Sequence, residues 1–182
     1  MPATDVLLVS LGSTAGLRAS DDELAASLRR AGAAVEVVAA RRPREVRTYV
    51  RTDLAWARAA RAAARAGIAE HEPRAVLYST VTAALLWPRP GAIRYDAPAA
   101  ANRPGRHGIW QRPLERRRLD AAPLLVPVDP GTIDETPQPH ADAVVVPIAV
   151  EPSGPLAAQR DIAALTYAAN PDKKGLDLLL LA

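Results

Sequence analysis

Short apolar runs alternate along this chain with longer helical stretches. Residues 5–10 (DVLLVS) form an unbroken apolar run, the pattern of a strand covered on both faces of a parallel sheet. A glycine-bearing loop is expected at 11–19. Ser20-Asp21-Asp22-Glu23 then reads as a capping box, with Ser20 as N-cap and Glu23 at the third helical position. Leu24 and Leu28 share one face of the helix that follows to about residue 31, and Gly32 is its natural C-terminal cap. Residues 35–39 (VEVVA) give a second strand. Such a strand–helix–strand unit requires a right-handed crossover and a parallel sheet.

The alternation continues. An arginine-rich connection covers 41–51, an Ala/Arg helix runs from Asp53 to about Glu70 ahead of Pro73, and 74–79 (RAVLYS) is a third strand. Residues 80–87 predict a short helix ended by Pro88. Further strands are expected at 92–95 (AIRY), 124–128 and 144–147, with a helix from 109 or 110 to 120 and a helical turn at 130–135. No internal repeat is visible. The pattern is that of the α/β class, a Rossmann-like, doubly wound, mostly parallel sheet. Residues 1–150 read as this domain, 151–163 carry linker chemistry, and 164–182 open a second unit.

Composition bounds the picture. At 182 residues the chain holds one domain plus a remainder, and with 49% hydrophobic residues it can bury a proper core. It has no cysteine, which excludes disulfides and thiolate metal centres and suits a reducing, cytoplasmic compartment. Three scattered histidines leave little for a metal site. No charged leader precedes an apolar run, so no signal peptide is read, and no apolar run approaches the roughly 20 residues that span a bilayer. Net charge is only +3, but arginines cluster at 41, 42, 44, 47 and 51 and again at 112, 116, 117 and 118. Such clusters meet phosphorylated ligands, anionic lipid or nucleic acid, although a solvated surface accounts for most of them. Without a zinc finger, helix-turn-helix or RNA-binding aromatic pattern, nucleic acid is the poorest of these partners. The 41–51 cluster is where a peripheral enzyme would rest on the anionic inner face of a membrane.

In an open α/β sheet, ligands bind outside the carboxyl ends of the strands. That rule selects four segments. The first is LGSTAG at 11–16, where Gly12, Ser13 and Gly16 are candidate phosphate-binding residues and Thr14 adds a hydroxyl. It is neither GxGxxG nor a P-loop, so no dinucleotide or ATP site is indicated by motif, and an ordinary turn into a helix is the competing reading. The second is Ser79-Thr80, where capping of the next helix outweighs ligand contact. The third is Asp96, a carboxylate able to accept two hydrogen bonds from a sugar or to cap a turn ahead of Pro98. The fourth is the loop 99–108 with Asn102, Arg103, Arg106 and His107. Its length and its place on the ligand side mark it as functional, with both arginines able to engage a phosphate. For His107 a surface loop histidine outweighs a catalytic one, and His71 and His140 read as bystanders.

The last stretch, TYAANPDKKGLDLLLLA at 166–182, reads as a strand, a tight polar loop and the first turns of a helix with no closing signal. A second unit therefore opens there. Together with ADAVVVPIAVEP at 141–152, this stretch resembles glycosyltransferases of the GT-B fold, particularly the family-4 type. Pro147, Val150 and Glu151 match the family's end-of-domain segment, while Ile148-Ala149 replace its usual Asn-Gly. The resemblance extends over nearly the whole chain, with its sharper motifs at the two ends. It implies that 1–150 is the acceptor-side half and that 164–182 begin the donor-side half.

The resemblance also implies roles. In the family a lysine before the glycine at this helix start contacts the diphosphate of a sugar nucleotide. Lys174 matches it, with Lys173 alongside, and these are the only lysines of the chain. A helix N-terminus with its positive dipole end suits that task. Asn170 stands near the place of the family's arginine, and Tyr95-Asp96-Ala97-Pro98 replace a segment where many members carry a histidine facing the sugar. The implied reaction is hexosyl transfer from a sugar nucleotide to an acceptor. Lys173, Lys174 and the Gly12–Gly16 loop would stabilise the leaving diphosphate, Asp96 would be the catalytic group, and Arg103, Arg106 and His107 would hold the acceptor. The sugar nucleotide is a substrate, and no cofactor or metal is expected. The family's paired glutamates lie deep in the second half, outside these 182 residues, so this stretch alone is expected to be an inactive fragment. Two other classes stay open. One is a non-catalytic acceptor-binding subunit that pairs with a separate donor-binding chain. The other is a sugar-nucleotide epimerase of the same fold with Asp96 as its acid–base group.

Overall fold

The computed structural model describes residues 4–44, 48–98, 103, 105–136 and 142–148. The chain divides into two compact units, Met1–Ala149 and Val150–Ala182, and every described residue belongs to the first. In chain order the elements are β1 (Val6–Ser10), α1 (Ala15–Arg30), β2 (Val35–Ala39), α2 (Tyr49–His71), β3 (Ala75–Tyr78), α3 (Val81–Ala84) and β4 (Ala92–Tyr95). A 3-10 turn (Gly105–Gly108), α4 (Gln111–Ala121), β5 (Leu125–Pro127) and α5 (Pro130–Asp134) follow.

The strands form one sheet in the order β2-β1-β3-β4-β5, and every pairing is parallel. The α/β, Rossmann-like, doubly wound reading of the sequence is what the structure has. The expected strand at 144–147 is reduced to a parallel bridge beside β5 between Leu125 and Ala143. The Val144 and Val146 N–H groups donate to Leu125 and Pro127 carbonyls at 2.9 Å each.

Side-chain alternation along the strands sorts the core onto two faces, as a pleated strand must. Leu7, Val9, Val76, Tyr78, Ile93 and Leu125 point to the face covered by α2, α3 and α4, and they build the larger core with Ala57, Ala60, Ala64 and Leu119. Leu8, Val35, Leu77 and Val126 point to the opposite face, where Ala25, Leu24 and Leu28 of α1 cover them. The alanine richness of α2 has a packing reason. Ala57, Ala60, Ala64 and Gly67 recur at helical spacing, and a Cβ on Gly67 would stand 2.8 Å from a Val38 methyl. Small residues let this helix lie close on β1 and β2.

The first helix corrects the expected capping box. It starts at Ala15, not after Ser20, and its N-cap is Thr14, whose Oγ1 accepts from the Leu17 N–H at 3.2 Å. Ser20 and Asp21 are helix-interior residues, and Glu23 bonds Ser27 and Arg30 in the turns that follow. The glycine-bearing loop therefore shrinks to 11–14, and Gly16 belongs to the first turn of the helix. Two polar side chains, Asp21 buried and Ser20 half-buried, explain the difference. Asp21 and Ser20 face the sheet, where β1 and β4 supply their partners, so tertiary bonds outweigh the local capping preference.

Candidate functional site

The carboxyl ends of the strands gather nearly all the chemistry of the described residues. With the order β2-β1-β3, the connections leave β1 and β3 in opposite directions, so the crevice of a doubly wound sheet lies at the ends of these two strands. At that point β1 turns sharply into α1. Gly12 takes the left-handed conformation with φ +56°, which glycine adopts without a steric penalty. Arg18, one turn into α1, reaches back and donates from Nη1 to the Gly12 carbonyl at 2.8 Å. The turn is thus a tight backbone loop at a helix N-terminus with a guanidinium against it. The sequence marked Gly12 but gave no signal for Arg18, because it fell in the stretch 11–19 read as loop, where a lone arginine reads as surface.

Beneath the turn lies a buried polar group. Ser10, the last residue of β1, donates from Oγ to Asp21 Oδ2 at 2.5 Å. Ser79, just past β3, accepts the Leu11 N–H on its Oγ at 3.0 Å. From β4, Arg94 points to the same face and donates from Nη1 to Ser20 Oγ at 2.9 Å, with its Nη1 3.8 Å from Asp21 Oδ1. Asp21 is 1% exposed and Arg94 5%. Burial raises the Asp21 carboxyl above its usual range against the pull of the two serines and Arg94, and burial likewise lowers Arg94. This group ties the ends of β1 and β4 to α1, and Ser79 ties the end of β3 to that of β1.

Helix caps line the same rim. Thr80 Oγ1 accepts from the Ala83 N–H at 3.1 Å, so the capping reading of this position is what the structure has. Asp129 accepts from the Thr132 N–H at 3.0 Å and from its hydroxyl at 2.6 Å, bonds that hold its carboxyl below the usual range. Tyr95 at the end of β4 shares a 2.9 Å hydrogen bond with Thr136, and burial raises its hydroxyl. Asp96 follows directly. Its side chain is exposed, and its carbonyl accepts from the Thr132 hydroxyl at 2.9 Å.

A second polar group holds the segment before α4. Asp53, the fifth residue of α2, accepts from Arg103 Nε at 2.8 Å and Nη2 at 3.1 Å, and from Gln111 Nε2 at 2.7 Å. Arg112 donates to the Gly105 carbonyl at 2.8 Å, and Gly108 leaves no room for a Cβ, which would stand 2.4 Å from the Arg103 carbonyl. Arg103 therefore fastens its segment to α2 through a bidentate ion pair. Nothing in the sequence linked it to Asp53, 50 residues earlier.

The other marked residues divide as follows. Ser13 is half-buried in the turn beside Gly12, and Gly16 sits within the first turn of α1. Arg106 is exposed in the 3-10 turn, and the side chain of His107 is not among those described. Lys173 and Lys174, with Asn102 and His140, lie outside the described residues. Arg41, Arg42 and Arg44 are exposed directly after β2, and Arg51 is exposed on early α2. The structure thus brings Gly12 and Ser13 to the crevice and sets Asp96 on the same rim. Among the described residues, no group of three or more potential metal ligands occurs, and no helix is long and apolar enough to cross a membrane.

Comparison of the chain with models of protein families, with curated proteins and with solved structures returns no match.

Proposed function

We propose that these residues form the acceptor-side half of a GT-B-type glycosyltransferase, which transfers a hexosyl group from a sugar nucleotide to an acceptor. The observation that carries the reading is the Gly12 turn. It follows β1, an interior strand at the switch point of a doubly wound sheet, has a positive φ and is backed by Arg18. Free N–H groups at a helix start, a close-approaching backbone and a guanidinium together suit the developing negative charge of a leaving diphosphate. The lysine pair Lys173-Lys174 would contribute from the donor side, in keeping with the resemblance of 166–182. Asp96, exposed on the same rim, is the candidate for contact with the reacting hydroxyls. Arg106 and His107 belong to the acceptor side of this reading, whereas Arg103 acts through Asp53 by holding their segment in place. The exposed Arg41, Arg42, Arg44 and Arg51 would steady the protein on anionic lipid.

The test is made on the product of the complete reading frame, offered a panel of nucleotide sugars and followed by release of nucleoside diphosphate. Turnover of one of them is expected, and Gly12→Val and Lys174→Ala are each expected to reduce it about tenfold or more while leaving the thermal melt of Lys174→Ala unchanged. Absence of turnover and of binding across the panel would overturn the reading. Sedimentation of the same protein with acidic vesicles at low salt, and its loss at high salt, checks the lipid contact.

A further inference from the structure

We propose that a single resident water completes the buried Asp21–Arg94 pair, seated between Arg94 Nε and Asp21 Oδ1 beneath the turn from β1 to α1. This inference stands apart from the reading of the chain as a transferase.

The hydrogen bonds within this group leave two buried atoms over. Asp21 Oδ2 accepts from Ser10, and Arg94 Nη1 donates to Ser20. Asp21 Oδ1 and Arg94 Nε, by contrast, are both inaccessible and have no hydrogen-bond partner. One is an acceptor on a carboxylate and the other a donor on a guanidinium, so the two are complementary in kind. They also belong to groups that face each other, since Arg94 Nη1 lies 3.8 Å from Oδ1. That separation suits charge attraction but exceeds a hydrogen bond. Nε shares a carbon with Nη1, which puts the two orphan atoms within reach of one bridging molecule.

A buried polar atom of a charged group left without a hydrogen bond keeps its full desolvation penalty, and native proteins almost never leave one so. Direct contact would need the guanidinium to move toward Asp21, but the 2.9 Å bond from Nη1 to Ser20 holds it back on α1. A water donates to Oδ1 and accepts from Nε–H, which satisfies both atoms without breaking either existing bond. Two charged partners meet the usual requirement of 2–4 for a buried water. An apolar guest fits neither atom, and an anion would be repelled by Asp21.

The consequence is a closed chain of hydrogen bonds across the crevice end of the sheet. It runs from Ser10 through Asp21 to the water, then through Arg94 to Ser20, and back along α1 to Asp21. With the bridge in place, β1, β4 and α1 hold one another by polar contacts at the point where the Gly12 turn leaves the sheet.

A high-resolution crystal structure of the protein tests the proposal. The expected result is a well-ordered water within hydrogen-bond distance of both Arg94 Nε and Asp21 Oδ1. A direct Nε–Oδ1 bond, or a dry gap between the two, would overturn it. Independently of crystals, NMR of the same protein is expected to show a cross-peak between the Arg94 Nε proton and a long-lived water. Arg94→Lys, which keeps the charge but lacks Nε–H, removes that peak and so confirms its assignment. An Nε proton that shows contact with no water, or only with exchanging bulk solvent, would equally overturn the bridge.

Discussion

Asp21 shows how a single side chain can change role once the chain is folded. In the sequence Ser20-Asp21-Asp22-Glu23 has the spacing of a capping box, yet Asp21 ends 1% exposed against Ser10 and Arg94. Local spacing gave no sign of this, since the partners lie on β1 and β4, with Arg94 more than 70 residues away. The burial has a measurable pH signature. With its folded pKa raised above 3.8, Asp21 keeps its proton in the native state at pH values where the unfolded chain has already released it. Its contribution therefore turns unfavourable as pH rises from 3.8 through the folded value, and on acidification it gives stability back. Asp5, Glu23 and Asp129, whose carboxyls are held below their usual values, act in the opposite sense and lose stability as pH falls. Asp21→Asn removes the compensating group, so urea midpoints of the variant should fall more steeply than wild type between neutral pH and pH about 4. Parallel slopes would mean that Asp21 titrates normally. A second residue-scale prediction concerns Gly91, where a Cβ would stand 2.4 Å from the Val76 carbonyl oxygen of the neighbouring strand. Gly91→Ala is expected to lose about 1–3 kcal/mol in urea unfolding, with the backbone unable to give way as a flexible side chain would. A stability within error of wild type would refute that close approach.

At the level of elements, strands were easier to read than helix starts. The run AIRY and the run VEVVA coincide with β4 and β2 because short apolar stretches between turns leave few alternatives. The starts of α1 and α2 lie earlier than the sequence suggests, at Ala15 and Tyr49, because Thr14 caps the one and the other begins within the arginine-rich connection. Thr14→Ala should lower stability by about 1 kcal/mol. Hydrogen exchange should find the amides of residues 19–22 protected, whereas a helix beginning after Ser20 would leave them open. The segment before α4 was legible as a polar loop on the ligand side, but its anchor was not. A bidentate Arg103–Asp53 pair joins two stretches that share no sequence pattern. Asp53→Ala removes the shared acceptor of Arg103 and Gln111, so trypsin should cleave after Arg106 several-fold faster in the variant. Cleavage at the wild-type rate would show that the segment is held by other contacts.

For the molecule as a whole, the α/β class and the parallel sheet were readable from the alternation of runs, since strand–helix–strand units allow few topologies. The order β2-β1-β3-β4-β5 was not, because nothing in an apolar run says which neighbour it will choose. Likewise the position of Gly12 at the crevice was legible from its place after the first strand, while the Arg18, Ser10, Ser79 and Arg94 contacts around it became visible only with the fold. The interior position of β1, between β2 and β3, carries a consequence for how this protein is made. One edge of β1 is closed by β2 within 39 residues, but the other pairs with β3, whose register runs from Val6↔Ala75 to Val9↔Tyr78. During synthesis at roughly 5–20 residues per second, the emerging β1–α1–β2 unit therefore waits several seconds with an apolar strand edge unpaired. The chain must travel the full length of α2 before that edge is covered, and this interval is when a nascent chain of this design is most open to capture by chaperones or by its own neighbours on a polysome.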